Sequence, residues 1–428
     1  MLDTRPSCFQ NQLCKGANLC FNPGTWQGCL NDGYLSSHDV AESLLDQEYS
    51  PQRLKTVCDS LRLGVKMEWD SPIVSGAVPS DGSSFDAIVV GGGPGGASAA
   101  AFLAMDGARV LLLEKAIWPR DKICGDAVGG KSLKHVQQLG VKGVIENTPH
   151  FRVDGIIFGA PNGKEVCISL PEEEVESREA GYSLPRKQFD TLLFRNANEK
   201  VLDAGGSVIQ GFTVKEVHVD NGAVTGVSGV HEKQDYHFKA PLTIGGGGYT
   251  CPVAKTVTGH YGEPMIDKDH YCGAYREYWT GVEGCDDWKG AIEIHFIDGV
   301  IPGYFWIFPV GNGVVNVGIG MVISEMNKQK VKLRALQEWV IKEDKKFSKR
   351  FRNAKMVEKS GKGWQLPFGS PRKKAPSFQP RRAAMAGAIC VGDAASLVDP
   401  FTGEGIGNAL LSAKLASEIF DHQKHSEG

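Results

Sequence analysis

The most constraining stretch of this chain is Gly91-Gly92-Gly93-Pro94-Gly95-Gly96. It sits between an apolar run, Ala87-Ile88-Val89-Val90, and a small-residue run from Ala97 to Met105. The first run reads as a buried strand and the second as a helix. G-x-G-x-x-G in that setting frees the backbone of side chains at three places. Gly91 permits the tight turn, Gly93 lets main chain approach a pyrophosphate, and Gly96 lets the helix pack close on the sheet. The helix N-terminus adds its positive dipole end. Arg109 to Leu113 reads as the next strand, and Glu114 at its end stands 23 positions after Gly91. There a carboxylate accepts hydrogen bonds from ribose hydroxyls. The bland alternative is a glycine-rich turn without a ligand; strand, helix and acidic residue together favour an adenine dinucleotide. The motif alone does not separate FAD from NAD.

A second glycine cluster narrows this. Ile389-Cys390-Val391 reads as a buried strand running into Gly392-Asp393, so Asp393 sits at a strand end and can bind a ribityl hydroxyl. Asp399-Pro400-Phe401-Thr402-Gly403-Glu404-Gly405 then opens a helical pattern from Ile406 to Ile419. A helix N-terminus aimed at the N1–O2 edge of a flavin stabilises the anion of the reduced ring. An N-cap role for Asp393 accounts for one residue, not for the whole string. Both clusters belong to an unusual total of 53 glycines in 428 residues, about one in eight against the usual ~7%.

With Trp118-Pro119-Arg120-Asp121-Lys122-Ile123-Cys124-Gly125-Asp126, Pro185-Arg186-Lys187-Gln188-Phe189-Asp190 and Pro302 to Pro309, these strings resemble the geranylgeranyl reductase family of FAD-dependent oxidoreductases. The resemblance covers roughly residues 85–420. It implies an α/β plus antiparallel β fold similar to that of flavin hydroxylases: a discontinuous Rossmann-type FAD domain with an inserted antiparallel-sheet substrate domain. The expected division is an accessory extension and linker over 1–84, FAD-domain parts over 85–150, 181–255 and 366–428, and substrate-domain parts over 151–180 and 256–365. The implied FAD contacts are Gly91, Gly93, Pro94, Gly95, Gly96, Glu114 and Lys115 at the first cluster. Arg120, Cys124 and Arg186 follow from the middle motifs, and Gly392, Asp393, Pro400, Gly403, Gly405 and Ile406 from the second cluster. The implied reaction is reduction of isoprenoid double bonds, with NADPH as an electron donor and a lipid substrate that brings a cytoplasmic protein into peripheral membrane contact.

An isolated alkene has no carbonyl to polarise it. Its reduction needs a strong hydride donor, a proton for the other carbon, and a dry slot over the ring. Side chains alternate along a strand, so Tyr304, Trp306 and Phe308 share one face and Phe305 takes the other. By resemblance the first three line the substrate path; an ordinary aromatic core is the alternative. Cys124 lies in a polar, glycine-flanked loop beside Lys122, where a cation favours thiolate. The matching family cysteine lies near the flavin, which gives Cys124 a proton-relay or positioning role; the alternative is a small packing residue. For Arg120 and Arg186, phosphate or flavin-edge contacts compete with surface ion pairs.

Two departures from the family pattern stand out. Gly247 replaces an aspartate that usually helps to hold cofactor, which puts nicotinamide use in doubt, and the chain stops soon after its last helix. A flavin monooxygenase or halogenase is the competing enzyme on the same fold, and a flavin-binding protein without turnover is a third reading. Forty-seven basic and 50 acidic residues leave no nucleic-acid footprint. No run reaches the ~18 apolar residues that span a bilayer. Wide cysteine spacings without paired histidines predict neither a zinc site nor a disulfide scaffold, and no apolar h-region follows the N-terminus. A reducing, intracellular protein is expected. Hairpins are expected around Asp220-Asn221-Gly222 and Gly311-Asn312-Gly313, and helices near Val40 to Leu61 and Leu333 to Val340. Glu172 to Glu176 and Arg372-Lys373-Lys374 read as solvated faces.

Overall fold

The computed structural model describes residues 68–169, 171, 181–285, 289–372 and 380–421. The helical pattern from Val40 to Leu61, the acidic run 172–176 and Lys373-Lys374 lie outside them. Met1–Ser71 and Pro72–Gly428 are separate compact units. Among the described residues the strands form three sheets, all in the second unit.

The first sheet is built on Ala87–Val90, whose four apolar side chains are all buried. Val110–Glu114 and Leu242–Gly245 pair parallel on either side of it, Ser207–Gln210 and Ala388–Cys390 extend the parallel order, and Ala384–Met385 closes one edge antiparallel. The helices Pro94–Met105, Arg186–Asp203 and Ile406–Glu418 pack on one another, and the first lies between the other two. That position explains why Pro94–Met105 is buried from Pro94 to Ala104 and shows no polar stripe. The opposite face carries a meander, Thr213–Asp220, Ala223–His231 and Gln234–Lys239, which includes the expected hairpin at Asn221-Gly222. Phe212, Val224, Val227 and Phe238 from the meander and its approach pack against Ile88, Leu111 and Leu113, at about 2 kcal/mol for each large apolar side chain removed from water.

The linker-like composition over Ser80 to Ser84 does not mark a free linker. The Gly82 amide donates to the His237 carbonyl at 2.8 Å, and the Phe85 amide donates to that of Lys239 at 2.9 Å. Upstream, the Ile73 and Val74 carbonyls accept from the Gln210 and Asn198 side chains. Polar, glycine-rich residues serve a solvent-facing sheet edge as well as they serve a linker, so composition placed the boundary too late.

The ten-stranded sheet is mainly antiparallel. One neighbouring pair, Phe151–Gly159 with Lys289–His295, is parallel, because the chain crosses the first sheet between them and returns from the same end. Gly303–Pro309 and Val314–Val322 form the expected hairpin around Gly311-Asn312-Gly313. Its register sets Trp306 opposite Gly318 and Phe308 opposite Asn316. A Cβ at 318 would overlap the Trp306 indole, so the glycine makes room for a ring laid across its strand. Tyr304, Trp306 and Phe308 share one face with Phe151, Ile292 and Ile294. Phe305 and Ile307 face the other way, among residues that include Leu333 and Val340 of the helix Leu333–Glu343.

Candidate active site

Both glycine clusters open on one cleft of about 480 Å³. Gly91 has φ +103°, and a Cβ there would stand 2.5 Å from the Gly247 Cα. A Cβ at 96 would overlap the Gly91 carbonyl oxygen; helix and strand end touch through bare backbone. A Cβ at Gly95 would meet Val391 and Ala409, so the two clusters pack against each other. Gly93, by contrast, faces the cleft, with only the Arg120 Nη2 within reach of a Cβ, at 3.6 Å. Glu114 is buried at its strand end, its carboxylate accepting from the Gly92 amide at 2.6 Å and the Ala116 amide at 2.7 Å. A fixed acidic acceptor, a side-chain-free turn and two helix N-termini on one cleft suit FAD.

Gly91, Gly93, Pro94, Gly95, Glu114, Lys115, Arg120, Cys124, Arg186, Gly392, Asp393, Gly403, Gly405 and Ile406 line this cleft. Gly96 lies beneath it, in the helix–strand contact. Pro400 is exposed and does not reach the cleft lining, since the turn it begins carries Gly403 and Gly405 inward instead.

The middle motifs meet through one buried carboxylate. Asp190 accepts from Arg186 Nε at 2.5 Å and Nη2 at 2.9 Å, and from Arg120 Nη1 at 3.1 Å. Burial pushes its carboxyl up, but the two guanidiniums outweigh burial and hold it below the usual carboxylate range. Arg186 also reaches the Cys124 thiol. Arg120 lies 4.2 Å over the Trp118 ring, which stacks on Phe194. Both arginines are therefore cleft residues held from behind, not surface ion pairs.

Lys122 stands 4.5 Å over the Trp364 ring and 3.8 Å from the Asp393 carboxylate. Desolvation pushes its ammonium down from the usual lysine range, against the pull of Asp393. Trp364 lines the cleft from the larger sheet, and no local pattern marked it. Asp393 reaches the cleft as expected, with a cation at its back. Asp393→Ala should remove one charge-assisted hydrogen bond to cofactor, ~1.5–3 kcal/mol, and lose most bound flavin on purification. Full FAD occupancy in that variant would sink this role.

The aromatic trio stands behind the Cys124 loop rather than in the cleft wall. A Cβ at Gly125 would lie 2.9 Å from Phe308 Cε2 and 3.6 Å from Trp306 Nε1, so the loop rests on these rings. The Tyr304 hydroxyl donates to the Thr402 carbonyl at 2.6 Å and ties the aromatic strand to the second glycine turn. Sequence reasoning missed Asn316 and Tyr278. Asn316 Nδ2 donates to the Cys124 carbonyl at 2.7 Å and to Asp126 Oδ2 at 2.8 Å, while its Oδ1 accepts from Trp306 Nε1 at 2.9 Å. The Tyr278 hydroxyl donates to the same Asp126 oxygen. Among the described residues no cluster could hold a metal ion, and no helix is long and apolar enough to cross a membrane.

An FAD binding domain model matches residues 84–271, and a geranylgeranyl reductase catalytic domain model matches residues 271–362. A digeranylgeranylglycerophospholipid reductase of Methanococcoides burtonii is 31% identical over 342 residues, covering 78% of this chain and 74% of its own. The chain belongs to the geranylgeranyl reductase family. It is a flavin-dependent oxidoreductase of that type, with FAD as its cofactor. The menaquinone reductase of Mycobacterium tuberculosis is 28% identical over 345 residues, covering 79% of this chain and 77% of the relative. Two solved structures share the fold. A geranylgeranyl bacteriochlorophyll reductase-like protein from Thermoplasma acidophilum has a TM-score of 0.64 at 23% identity, covering 81% of this chain and 79% of that one. The myxobacterial chondrochloren halogenase reaches 0.66 at 22%, covering 81% and 78%.

Proposed function

We propose that this family member reduces carbon–carbon double bonds in the isoprenoid chain of a geranylgeranyl-type lipid. The observation that carries this reading is the contact between the Cys124 loop and the Trp306–Phe308 strand, made through Gly125. It fixes on buried aromatic rings the loop that brings Cys124 to the cleft. When bound and reduced, FAD supplies the hydride. Arg120, Arg186 and the first glycine turn bind its phosphates, and Asp393 and the Ile406 helix orient its ring. Trp306 and Phe308, buried behind the Cys124 loop, back it against the cleft and keep water from its far side. Cys124 delivers or steers the proton taken up by the second alkene carbon. The relatives named for a digeranylgeranyl phospholipid and for menaquinone support a substrate with a long prenyl chain.

Dithionite-reduced protein kept anaerobic should saturate bonds of a geranylgeranyl lipid or a polyprenyl quinone, adding about two mass units per bond reduced. Cys124→Ser should retain FAD and slow that step by ~10²-fold. Products that gain oxygen or halogen, and form only in air, would overturn the reductase reading. An unimpaired Cys124→Ser would reduce the cysteine to packing.

A further inference from the structure

Lys122 stands two positions before Cys124 and lines the cleft together with Asp393, Gly405 and Trp364. Its ammonium is seated but not satisfied. The Trp364 ring lies 4.5 Å from it and the Asp393 carboxylate 3.8 Å, the latter beyond the ~3.2 Å reach of a hydrogen bond. Its three N–H donors find no hydrogen-bond acceptor among the described residues. The side chain keeps 17% of its surface accessible, and it borders the cleft. Arg120 and Arg186 differ in this respect, since both donate to Asp190. In this group three cations meet two carboxylates, which leaves one positive charge in excess. Its place in the cleft is also distinct. A Cβ at Gly405, the N-cap of the helix Ile406–Glu418, would lie 3.6 Å from Asp393 Oδ1, so Lys122 belongs to the end formed by the second glycine cluster. Arg120 reaches instead toward Gly93 in the first turn.

We infer that Lys122 is the counter-charge of the reduced cofactor, donating to the N1–C2=O edge of the flavin ring and stabilising the negative charge that gathers there on reduction. Two electrons and one proton from a reductant, dithionite in the test below, turn the neutral ring into an anion. Hydride transfer from N5 to the alkene returns it to neutral. A positive group at that edge therefore favours the reduced cofactor over the oxidised one, and the difference appears as a raised midpoint potential. The ammonium gains there the acceptor it lacks among its neighbours, while the Trp364 face and Asp393 keep it in position. Asp393 also opposes the desolvation that pushes the ammonium down, and so helps to hold its proton. The charge adds to the helix N-terminus at Ile406, which supplies roughly half a unit. This inference rests on the proposed seat of the ring between Asp393 and the Ile406 helix.

The test uses FAD-loaded wild-type protein, Lys122→Met, Lys122→Gln and Lys122→Arg, titrated anaerobically with dithionite beside a reference dye. Methionine keeps an apolar stem against Trp364 and drops the charge. It should lose about tenfold in preference for reduced over oxidised FAD, read as a midpoint potential lowered by about 30 mV for a two-electron couple. Glutamine keeps a donor without the charge and should fall close to methionine. Arginine keeps the charge and should restore most of the difference. Lys342→Met is the control. That lysine is exposed on the helix Leu333–Glu343, away from the cleft lining, and its loss should leave the potential unchanged.

Sulfite gives a second readout. Its addition to N5 of the oxidised ring places negative charge on the same N1–C2=O edge, so Lys122→Met should bind sulfite about tenfold more weakly than wild type. Should the methionine variant not load FAD, the glutamine variant carries both measurements. Equal weakening of oxidised and reduced FAD, with potential and sulfite affinity unchanged, would put Lys122 on the phosphates and overturn the counter-charge. Wild-type potential and sulfite affinity in both neutral variants would overturn it as well. Neither readout uses a prenyl substrate. A wild-type protein that reduces no prenyl lipid would therefore sink the reductase reading, while the shifted potentials would still establish the role of Lys122.

Discussion

Gly96→Ala is expected to give a protein that holds no FAD. The added Cβ would overlap the Gly91 carbonyl oxygen and approach the Gly91 carbonyl carbon to 2.9 Å. Both are backbone atoms, so no side-chain rotation relieves the clash. The helix Pro94–Met105 would have to lift from the strand end, and overpacking of that kind costs about 1–3 kcal/mol or more. The lift would not stay local. Gly95 packs on Val391 and Ala409, so displacing the first turn also displaces the second, and both ends of the cofactor lose their seats. Affinity should fall by more than ~10²-fold, which two lost contact regions at 1.4 kcal/mol per tenfold readily supply. Flavin absorbance of the purified protein, followed by FAD titration, measures it. Gly130→Ala is the control, since a Cβ there meets nothing within 4 Å, and it should remain yellow. A fully loaded Gly96→Ala protein would contradict the close helix–strand contact described here.

The second large effect is expected at Asp190. Replacing it with alanine leaves the Arg186 and Arg120 guanidiniums facing each other without their shared carboxylate, Arg186 being buried. Breaking a buried charge pair by deleting one partner costs about 3–5 kcal/mol. The thermal midpoint should drop by several degrees, and FAD should dissociate more readily because both arginines face the cleft. Asp190→Asn should fall between alanine and wild type, keeping shape and one acceptor but not the charge. The wild-type carboxylate stabilises the fold above the ordinary carboxylate range, and that stabilisation is lost as pH falls through its depressed value. This component of acid destabilisation should therefore appear only below the ordinary carboxylate range in wild type, and the alanine variant should lack it. An unchanged midpoint in Asp190→Ala would show that solvent, not Asp190, balances the arginines.

Several of these relations were legible in the chain. The first glycine cluster marks a strand–turn–helix because the steric demands lie within six consecutive residues. The pairing of Arg186 with Asp190 was not legible, since the helix that sets them four apart on one face came only from the structure. The alternation of Tyr304, Trp306 and Phe308 follows from strand geometry alone.

What the sequence by itself determined is what short-range geometry decides: the dinucleotide-binding turns, the hairpins, the shared face of the aromatic trio and the family resemblance those strings carry. Composition misjudged the stretch ahead of Phe85, where polar glycine-rich residues hydrogen-bond along a sheet edge. It also misjudged Arg372, which is not on a solvated face but buried, donating to the Phe368 and Ser370 carbonyls. Tertiary structure alone decided which distant groups surround the Cys124 loop. Asn316 is 192 positions from Cys124 and Tyr278 is 152 from Asp126, and nothing local distinguishes them from other strand residues. Their places follow from hairpin register and from how the two sheets meet. A one-residue slip in register would turn Asn316 to the opposite face, leaving the Asp126 carboxyl and the Trp306 indole without the amide that joins them.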